Sequence, residues 1–334
     1  MNTTNPHEKR KLIRISMRVI INLVVALMLP GVAGCNRAPS AAQSTTTQQA
    51  SAVRSDSADR ELTEQLRSLC DAVAGDIGVA VVHVESGKTV AVAGDKKLPL
   101  YSVYKLPLAM TVLRDVEAGK LRLDQKVKVT PADVAGTLFN TDLWRSAQEK
   151  TVRELIEYAI VRSDNTSADK LLGLIGGPPI VTQEMRTIGL ANIDVVVSSR
   201  EFTAHRDKPN TGTTTDLAQL LARLQKGELL QPANFSLLRD YMERAKTGGE
   251  RRLRANLPAG TQVADKTGTG DVATNDVGLI TLPENKGHLA IAVLISGSKL
   301  PVDKQEKTIA DIARGLRLVR FPACATLITI STCR

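Results

Sequence analysis

The chain has 334 residues, of which 43% are hydrophobic and 24% are charged, and its formal net charge is +9 at pH 7. This balance is typical of a globular protein with a core large enough to fold without disulfides. Aromatic residues make up 3% of the chain and are not interleaved with a basic stretch, which argues against nucleic-acid binding. The four cysteines form no CxxC pair and the four histidines form no HExxH pair, so we expect no metal and no other cofactor.

The first 35 residues have the pattern of an export signal. Basic residues between positions 9 and 18 precede the apolar run VIINLVVALMLPGVAG, which is short for a membrane span. The run ends in Val-Ala-Gly-Cys35 and resembles a bacterial lipoprotein signal, in which the cysteine is lipidated and becomes the mature N-terminus. An ordinary signal peptide is the alternative, and either Met1 or Met17 fits as the start. We predict a periplasmic protein anchored through Cys35, and Asn36 favours the outer membrane.

The remaining chain divides by composition and periodicity. Residues 36–58 are rich in Ser, Thr, Gln and Ala, which predicts a flexible linker. Residues 59–318 read as helix, strands, helices, strands and a final helix over about 303–317. This order predicts an α/β part formed by both ends, 59–120 and 255–318, with an all-helical part, 121–254, inserted between them. The tail 319–334, with Cys324 and Cys333, has no predicted role.

Three short motifs contain chemically active side chains, and two of them occur twice. Ser-x-x-Lys occurs at Ser102–Lys105 and at Ser167–Lys170. Ser102 opens the apolar helix KLPLAMTVL, where Lys105 shares its face and free N–H groups at the helix start can hold an oxyanion. Ser167 begins SADKLLGLI, and we expect Lys170 to face solvent. The setting therefore predicts Ser102 as the nucleophile.

The other two motifs have similar ambiguities. Lys-Thr-Gly at 246–248 ends the helical stretch LLRDYMERA, where glycine is expected as a cap. The copy at 266–268 ends the strand TQVAD, where glycine permits close approach, so Lys266 is predicted to offer fixed positive charge to a substrate carboxylate. Ser163-Asp164-Asn165 follows the helical TVRELIEYAIV and reads either as a helix cap or as part of the site. Its order with the other motifs favours the site.

The motifs and flanking stretches such as SDNTSADKLL and GGERRLRANLPAGTQVADKTGTG resemble the class A β-lactamases over about residues 60–317. The resemblance implies an antiparallel sheet flanked by helices, a monomer, and hydrolysis of penicillin- or cephalosporin-type antibiotics through an acyl-enzyme, which confers resistance. It implies attack by Ser102 and proton transfers through Lys105 and Ser163. The implied substrate-binding residues are Asn165, Lys266, Thr267, Gly268 and Thr269, with the N–H groups of Ser102 and Thr269 forming the oxyanion hole.

A base for deacylation separates the β-lactamases from D-Ala-D-Ala peptidases and non-hydrolysing β-lactam sensors, which share the motifs. The family pattern is Glu-x-x-Leu-Asn, and the best match here is Glu201-Phe-Thr-Ala-His205. Ala204 and His205 depart from it, although a branch containing extended-spectrum cephalosporinases has glutamate and histidine at this spacing. We predict that Glu201 activates water and that His205 helps to hold it. The alternative is that both are ordinary loop residues.

Two further positions follow from the resemblance. Arg252 lies fourteen positions before Lys266, where some family members place a carboxylate-binding arginine, although Arg251 and Arg254 compete for the role. Tyr101 precedes the nucleophile, so the family's optional disulfide at this position is absent.

Overall fold

The computed structural model describes residue 61 and residues 63–135 and 143–317. The predicted signal, the lipidation site at Cys35, the linker and the tail with Cys324 and Cys333 lie outside the described residues. Within the described ranges, no helix combines the length and the apolar character that a membrane span requires.

The described chain follows the predicted order of helix, strands, helices, strands and helix, with one correction. The part predicted to be all-helical, 121–254, also contains three short strands, at Lys126–Val129, Gln148–Thr151 and Thr211–Gly212. The strands are β1 (Asp76–His83), β2 (Thr89–Val92), β3 (Leu98–Pro99), β4 (Lys126–Val129), β5 (Gln148–Thr151), β6 (Thr211–Gly212), β7 (Val263–Gly270), β8 (Ala273–Thr281) and β9 (His288–Ser296). The helices are α1 (63–71), α2 (Lys105–Glu117), α3 (Val152–Val161), α4 (Asn165–Ile175), α5 (Pro178–Thr187), α6 (Ser199–Ala204), α7 (Thr214–Gln225), α8 (Pro232–Glu243) and α9 (Val302–Arg317).

A five-stranded sheet in the order β2-β1-β9-β8-β7 organises the fold. All four neighbouring pairs are antiparallel, and the strands come from both ends of the described chain. β1, β8 and β9 are buried along nearly their whole length, because helices cover both faces of the sheet. The predicted antiparallel sheet flanked by helices is confirmed.

Side chains alternate across the sheet and divide the core into two clusters. Val79 belongs to the cluster that includes residues of α1 and α9. Ala80 and Ala264 belong to the cluster on the opposite face, with α2 and α7. Lys266 and Gly268 follow Ala264 at the strand's period of two, so they project to the side of α2. The fold therefore places the Lys-Thr-Gly strand opposite the start of α2.

Cys70 of α1 lies in the cluster next to α9 and is buried. Burial raises the pKa of its thiol to about 11, with a further contribution from the nearby Asp71 carboxylate. This cysteine is a core residue.

Candidate active site

Ser102 lies in a 3₁₀ turn, Tyr101–Tyr104, that continues directly into α2. The regular helix therefore begins at Lys105, three residues later than the sequence predicts. The turn still places Ser102 and Lys105 on the same side, since their side chains are in contact.

Two contacts hold this turn against the sheet. Gly268 of β7 packs so closely that a Cβ there would collide with the carbonyl oxygen of Leu100, and only glycine fits. On β8, the Asn275 side-chain amide donates to Pro99 O at 2.8 Å and to Leu100 O at 3.2 Å. Asn275 Oδ1 also accepts from Ile295 N–H at 3.1 Å, so its orientation is fixed. The nucleophile is thus positioned by the strands as well as by its own helix.

Lys105 is fully buried and joins the serine motifs. Its Nζ donates to Ser102 Oγ at 3.1 Å, to Ser163 O at 2.6 Å and to Asn165 Oδ1 at 2.6 Å. Burial lowers the pKa of Lys105 to about 8, although the Asp164 carboxylate acts in the opposite direction. An amine with this pKa can lose its proton near neutral pH and then accept the proton of Ser102.

Ser163 connects Lys105 with Lys266. Lys105 Nζ donates to Ser163 Oγ at 3.3 Å, and Lys266 Nζ donates to the same oxygen at 3.0 Å. Burial lowers the pKa of Lys266, and the positive charge of Lys105 lowers it further. Ser163 has φ +53°, a conformation uncommon outside glycine, and this strained backbone presents its hydroxyl to both amines.

Asp164, the middle residue of Ser-Asp-Asn, is the cap of α4, while Ser163 and Asn165 contact Lys105. The motif therefore serves both as a helix cap and as part of the site. Asp164 Oδ1 accepts from Ser167 N–H at 2.7 Å and Ser167 Oγ at 2.6 Å, and also from Trp144 Nε1 at 3.2 Å. Ser167, the serine of the second Ser-x-x-Lys match, is therefore a buried partner of the cap. The expectation that Lys170 faces solvent is only partly right, because it pairs with Asp133 at 2.7 Å and is 25% exposed.

The second Lys-Thr-Gly segment also contributes to the site. Thr267 Oγ1 donates to Thr247 O at 2.9 Å, and the two threonine hydroxyls lie 2.6 Å apart. The segment follows α8, and Gly248 has φ +106°, as expected of a glycine after a helix. The segment predicted to be only a helix end thus fixes the threonine of the motif on β7.

Among the three candidate arginines, only Arg252 is shown to contact the end of β7. Its Nη2 donates to Thr269 Oγ1 at 2.8 Å, and it is 1% exposed because Glu306 and neighbouring backbone enclose it. Arg251 pairs with the same Glu306 carboxylate, and Arg254 pairs with Asp265. The Arg252 guanidinium thus lies against the Thr269 hydroxyl, and Thr269 lines the pocket. The predicted carboxylate-binding role of Arg252 stays a prediction.

A pocket opens beside Ser102, between the end of β7 and α6, and Asn165 also lines it. The β7 wall includes Thr269, Gly270 and Asp271, and the α6 wall includes Ser198, Phe202 and Arg206.

Glu201 and His205 are on α6 and at its end, but neither side chain lines this pocket. The exposed Glu201 carboxylate accepts from Ser198 N–H at 2.8 Å, and Ser198 Oγ accepts from Glu201 N–H at 3.2 Å. This reciprocal pair is a capping box that starts α6. The Ser198 N–H lowers the pKa of Glu201, so the carboxylate is ionised at neutral pH. The base role of Glu201 and the water-holding role of His205 stay predictions.

Asp169 is a partly buried carboxylate near the site that sequence analysis missed. It accepts from Ser199 N–H at 2.7 Å and from Arg200 N–H at 3.0 Å, and so holds the start of α6. Burial raises its pKa. Tyr104 Oη lies 2.8 Å from Ser199 Oγ and adds a second link. The available signal was the spacing from Asn165, since residues four apart share a helix face.

Comparison with known proteins gives a consistent result. The model of the β-lactamase enzyme family matches residues 61–318. β-Lactamase VEB-1 of Pseudomonas aeruginosa is 32% identical over 267 residues, covering 76% of this chain and 88% of the relative. Extended-spectrum β-lactamase PER-1 of Pseudomonas aeruginosa is 33% identical over 271 residues, with coverage of 76% and 85%.

Solved structures extend the agreement to the fold. The TLA-3 extended-spectrum β-lactamase is 31% identical, with a TM-score of 0.74 over 77% of this chain and 98% of that one. An ancestral class A β-lactamase is 35% identical, with a TM-score of 0.71 over 76% and 98%. The chain thus belongs to the β-lactamase enzyme family, in its class A branch.

Proposed function

We propose that this class A β-lactamase hydrolyses the amide bond of penicillin- and cephalosporin-type antibiotics through an acyl-enzyme on Ser102. The hydrogen-bonded series from Ser102 through Lys105 and Ser163 to Lys266 carries the proposal. It combines a nucleophile, a titratable amine and a hydroxyl that can relay a proton, next to a buried cation. Hydrolysis of this bond inactivates the antibiotic and confers resistance.

Acylation uses the groups around Lys105. The neutral amine takes the Ser102 proton while Oγ attacks the lactam carbonyl carbon. The N–H groups of Ser102 and Thr269 stabilise the oxyanion. When the carbon–nitrogen bond breaks, Ser163 gives its proton to the leaving nitrogen and regains one from the Lys105 ammonium. The sequence of transfers leaves Lys105 neutral and Ser102 esterified.

The carboxylate of the substrate binds at the Lys266 end of β7. Lys266 supplies charge, the Thr269 hydroxyl accepts from Arg252 and donates to the carboxylate, and the Thr267 hydroxyl donates to it after turning away from Thr247 O. Arg252 is a positioning residue here, because its Nη2 binds the Thr269 hydroxyl. Gly268 permits the close approach of strand and nucleophile, and Asn165 lines the pocket where the side-chain amide of the substrate binds.

Deacylation requires an activated water, and the proposal assigns Glu201 as the base with His205 beside the water. Glu201 directly precedes Phe202, whose ring lines the pocket. The carboxylate has to release Ser198 N–H before it can reach a water near Ser102, because the capping box holds it at the surface. Deacylation is thus coupled to a local change at the start of α6.

The first prediction concerns the nucleophile. Full-length protein should turn over nitrocefin equally with and without EDTA, and Ser102→Ala should reduce turnover to background because no acyl-enzyme forms. Ser167→Ala is the matched control, since it removes the serine of the other Ser-x-x-Lys match. This control should lose stability through the Asp164 cap but keep its turnover per folded molecule. EDTA-sensitive turnover, or an active Ser102→Ala variant, contradicts the mechanism.

The second prediction separates the two roles of Glu201. Glu201→Gln preserves the capping box, since glutamine also accepts at this position, but it removes the base. We expect acylation to continue and deacylation to slow by about 10²- to 10⁴-fold, so that the acyl-enzyme accumulates in mass spectra. Glu154→Gln is the control, because Glu154 closes the equivalent capping box on α3. If Glu201→Gln turns over substrate at the wild-type rate, Glu201 is a helix cap and not the base.

The third prediction concerns Lys105. Its pKa of about 8 lies below that of ordinary lysine, so the neutral, proton-accepting form grows as pH rises through this value. The acylation rate measured by stopped flow should therefore increase with pH and level off above about 8. Lys105→Arg keeps the positive charge but cannot be deprotonated, and it should acylate about 10²- to 10⁴-fold more slowly. A pH-independent acylation rate would exclude Lys105 as the base.

We also propose that the enzyme is exported to the periplasm and acts there as a monomer on an outer-membrane lipid anchor. The Val-Ala-Gly-Cys35 ending of the apolar run supports this proposal. Cys35→Ser should abolish incorporation of radiolabelled fatty acid and remove the mature protein from the outer-membrane fraction. If the wild-type protein incorporates no fatty acid, the segment is an ordinary signal peptide.

A further inference from the structure

The residue before the nucleophile makes contacts that the reaction steps do not require. Tyr101 has φ +46°, a left-handed conformation that is uncommon for residues with a Cβ, and its ring lines the pocket. The ring meets Phe202 of α6 edge to face, with centroids 5.5 Å apart and planes at 89°. Burial raises the pKa of the Tyr101 hydroxyl, and the Val272 N–H, just beyond β7, acts in the opposite direction.

The Tyr101 ring also lies against Gly270, the last residue of β7. A Cβ at Gly270 would overlap the ring, so this contact requires glycine. Tyr101 therefore joins the nucleophile's own turn to both walls of the pocket, to α6 through Phe202 and to β7 through Gly270.

An ion pair spans the same two walls at the surface. Arg206, which follows α6, pairs with Asp271, which follows β7. The two side chains are 62% and 74% exposed, so their attraction is weak and is screened by salt. The two walls are thus linked twice, once through the Tyr101 ring and Phe202 and once through the Arg206–Asp271 ion pair.

The acyl side chain of a β-lactam is directed to this region by the chemistry of the substrate. Its carboxylate lies on the nitrogen side of the lactam carbonyl and binds towards Lys266. The carbonyl itself lies at Ser102 and Thr269. The carbon on the other side of the carbonyl, which bears the acylamino group, therefore points further along β7, towards Gly270 and Asp271. This is the space between the linked walls.

We propose that Tyr101 is a specificity-determining residue, which holds the two walls together and thereby limits the size of the acyl side chain that the enzyme accepts. Large side chains require the Tyr101–Phe202 contact and the Arg206–Asp271 pair to part. Substrates without an acyl group do not. This inference rests on the proposed hydrolysis of β-lactams by Ser102.

Two substrates with the same nucleus test the inference. 7-Aminocephalosporanic acid has a bare amine where cefotaxime has a bulky oxyimino acyl group. The measured quantity is the ratio of kcat/KM for cefotaxime to kcat/KM for 7-aminocephalosporanic acid. Both values are measured on one enzyme sample, so the fraction of folded enzyme affects them equally and cancels in the ratio. Tyr101→Ala should raise the ratio by about two- to tenfold, as expected for loss of one aromatic pair, whereas Tyr101→Phe should leave it unchanged.

The ion pair gives an independent test. Asp271→Asn should raise the same ratio by about two- to fivefold, and added salt should raise it in the wild type but not in this variant. Asp124→Asn is the matched control, because Asp124 forms an exposed pair with Arg122 at 3.1 Å and does not line the pocket. It should leave the ratio and its salt dependence unchanged.

A double-mutant cycle tests the ring contact itself. Gly270→Ala should impair hydrolysis of both substrates when Tyr101 is present, and Tyr101→Ala should relieve this loss by removing the ring. Additive effects of the two substitutions, or an unchanged ratio in Tyr101→Ala, would overturn the inference. If the wild type hydrolyses neither substrate, the proposed function fails instead.

Discussion

Burial of the Lys105 ammonium is the constraint on which the rest of the site depends. An ion removed from water is strongly destabilising unless hydrogen bonds replace its hydration. Here those bonds go to Ser102, Ser163 and Asn165, from two separate segments of the chain. The same burial that destabilises the charged form lowers the pKa of Lys105 towards neutrality. One packing arrangement therefore produces both the geometry and the basicity that acylation needs.

The strands around this lysine carry further buried charge. Lys266 and Arg252 are fully buried, and the carboxylates of Asp265, Asp276 and Glu306 lie on the same part of the fold. Burial raises the pKa of Asp276, and its proximity to Asp265 raises it further, so this pair tends to keep a proton and to carry less than its full negative charge. Burial likewise lowers the pKa of Lys266. The interior of the fold thus acts against the charged form of both the acids and the amine.

The sequence was informative where chemistry depends on residue type and order. Ser102 could be separated from Ser167 because it precedes the apolar stretch KLPLAMTVL. Lys266 could be separated from Lys246 because only Lys266 follows a strand pattern, although β7 continues through the motif to Gly270. The fold class followed from the strands at both ends of the domain. These inferences depend only on residues that are close together in the sequence.

Long-range packing decided what the sequence left open. The sequence left Glu201 open between a catalytic base and an ordinary loop residue, and the structure shows that its carboxylate closes a capping box with Ser198. The distance along the sequence from Lys266 could not distinguish Arg252 from Arg251 and Arg254. Only the structure shows which guanidinium contacts Thr269. The spacing of Asp169 from Asn165 indicates a shared helix face, but its role depends on the N–H groups of Ser199 and Arg200, which lie 30 and 31 residues further along the chain.

The two core clusters separate the first and last described helices from the active site. α1 and α9, the first and last helices described, both pack on the face of the sheet opposite α2 and the nucleophile. Both helices therefore lie on the side of the sheet turned away from Ser102. Substitutions on their outer surfaces change the molecule on the side opposite the catalytic pocket.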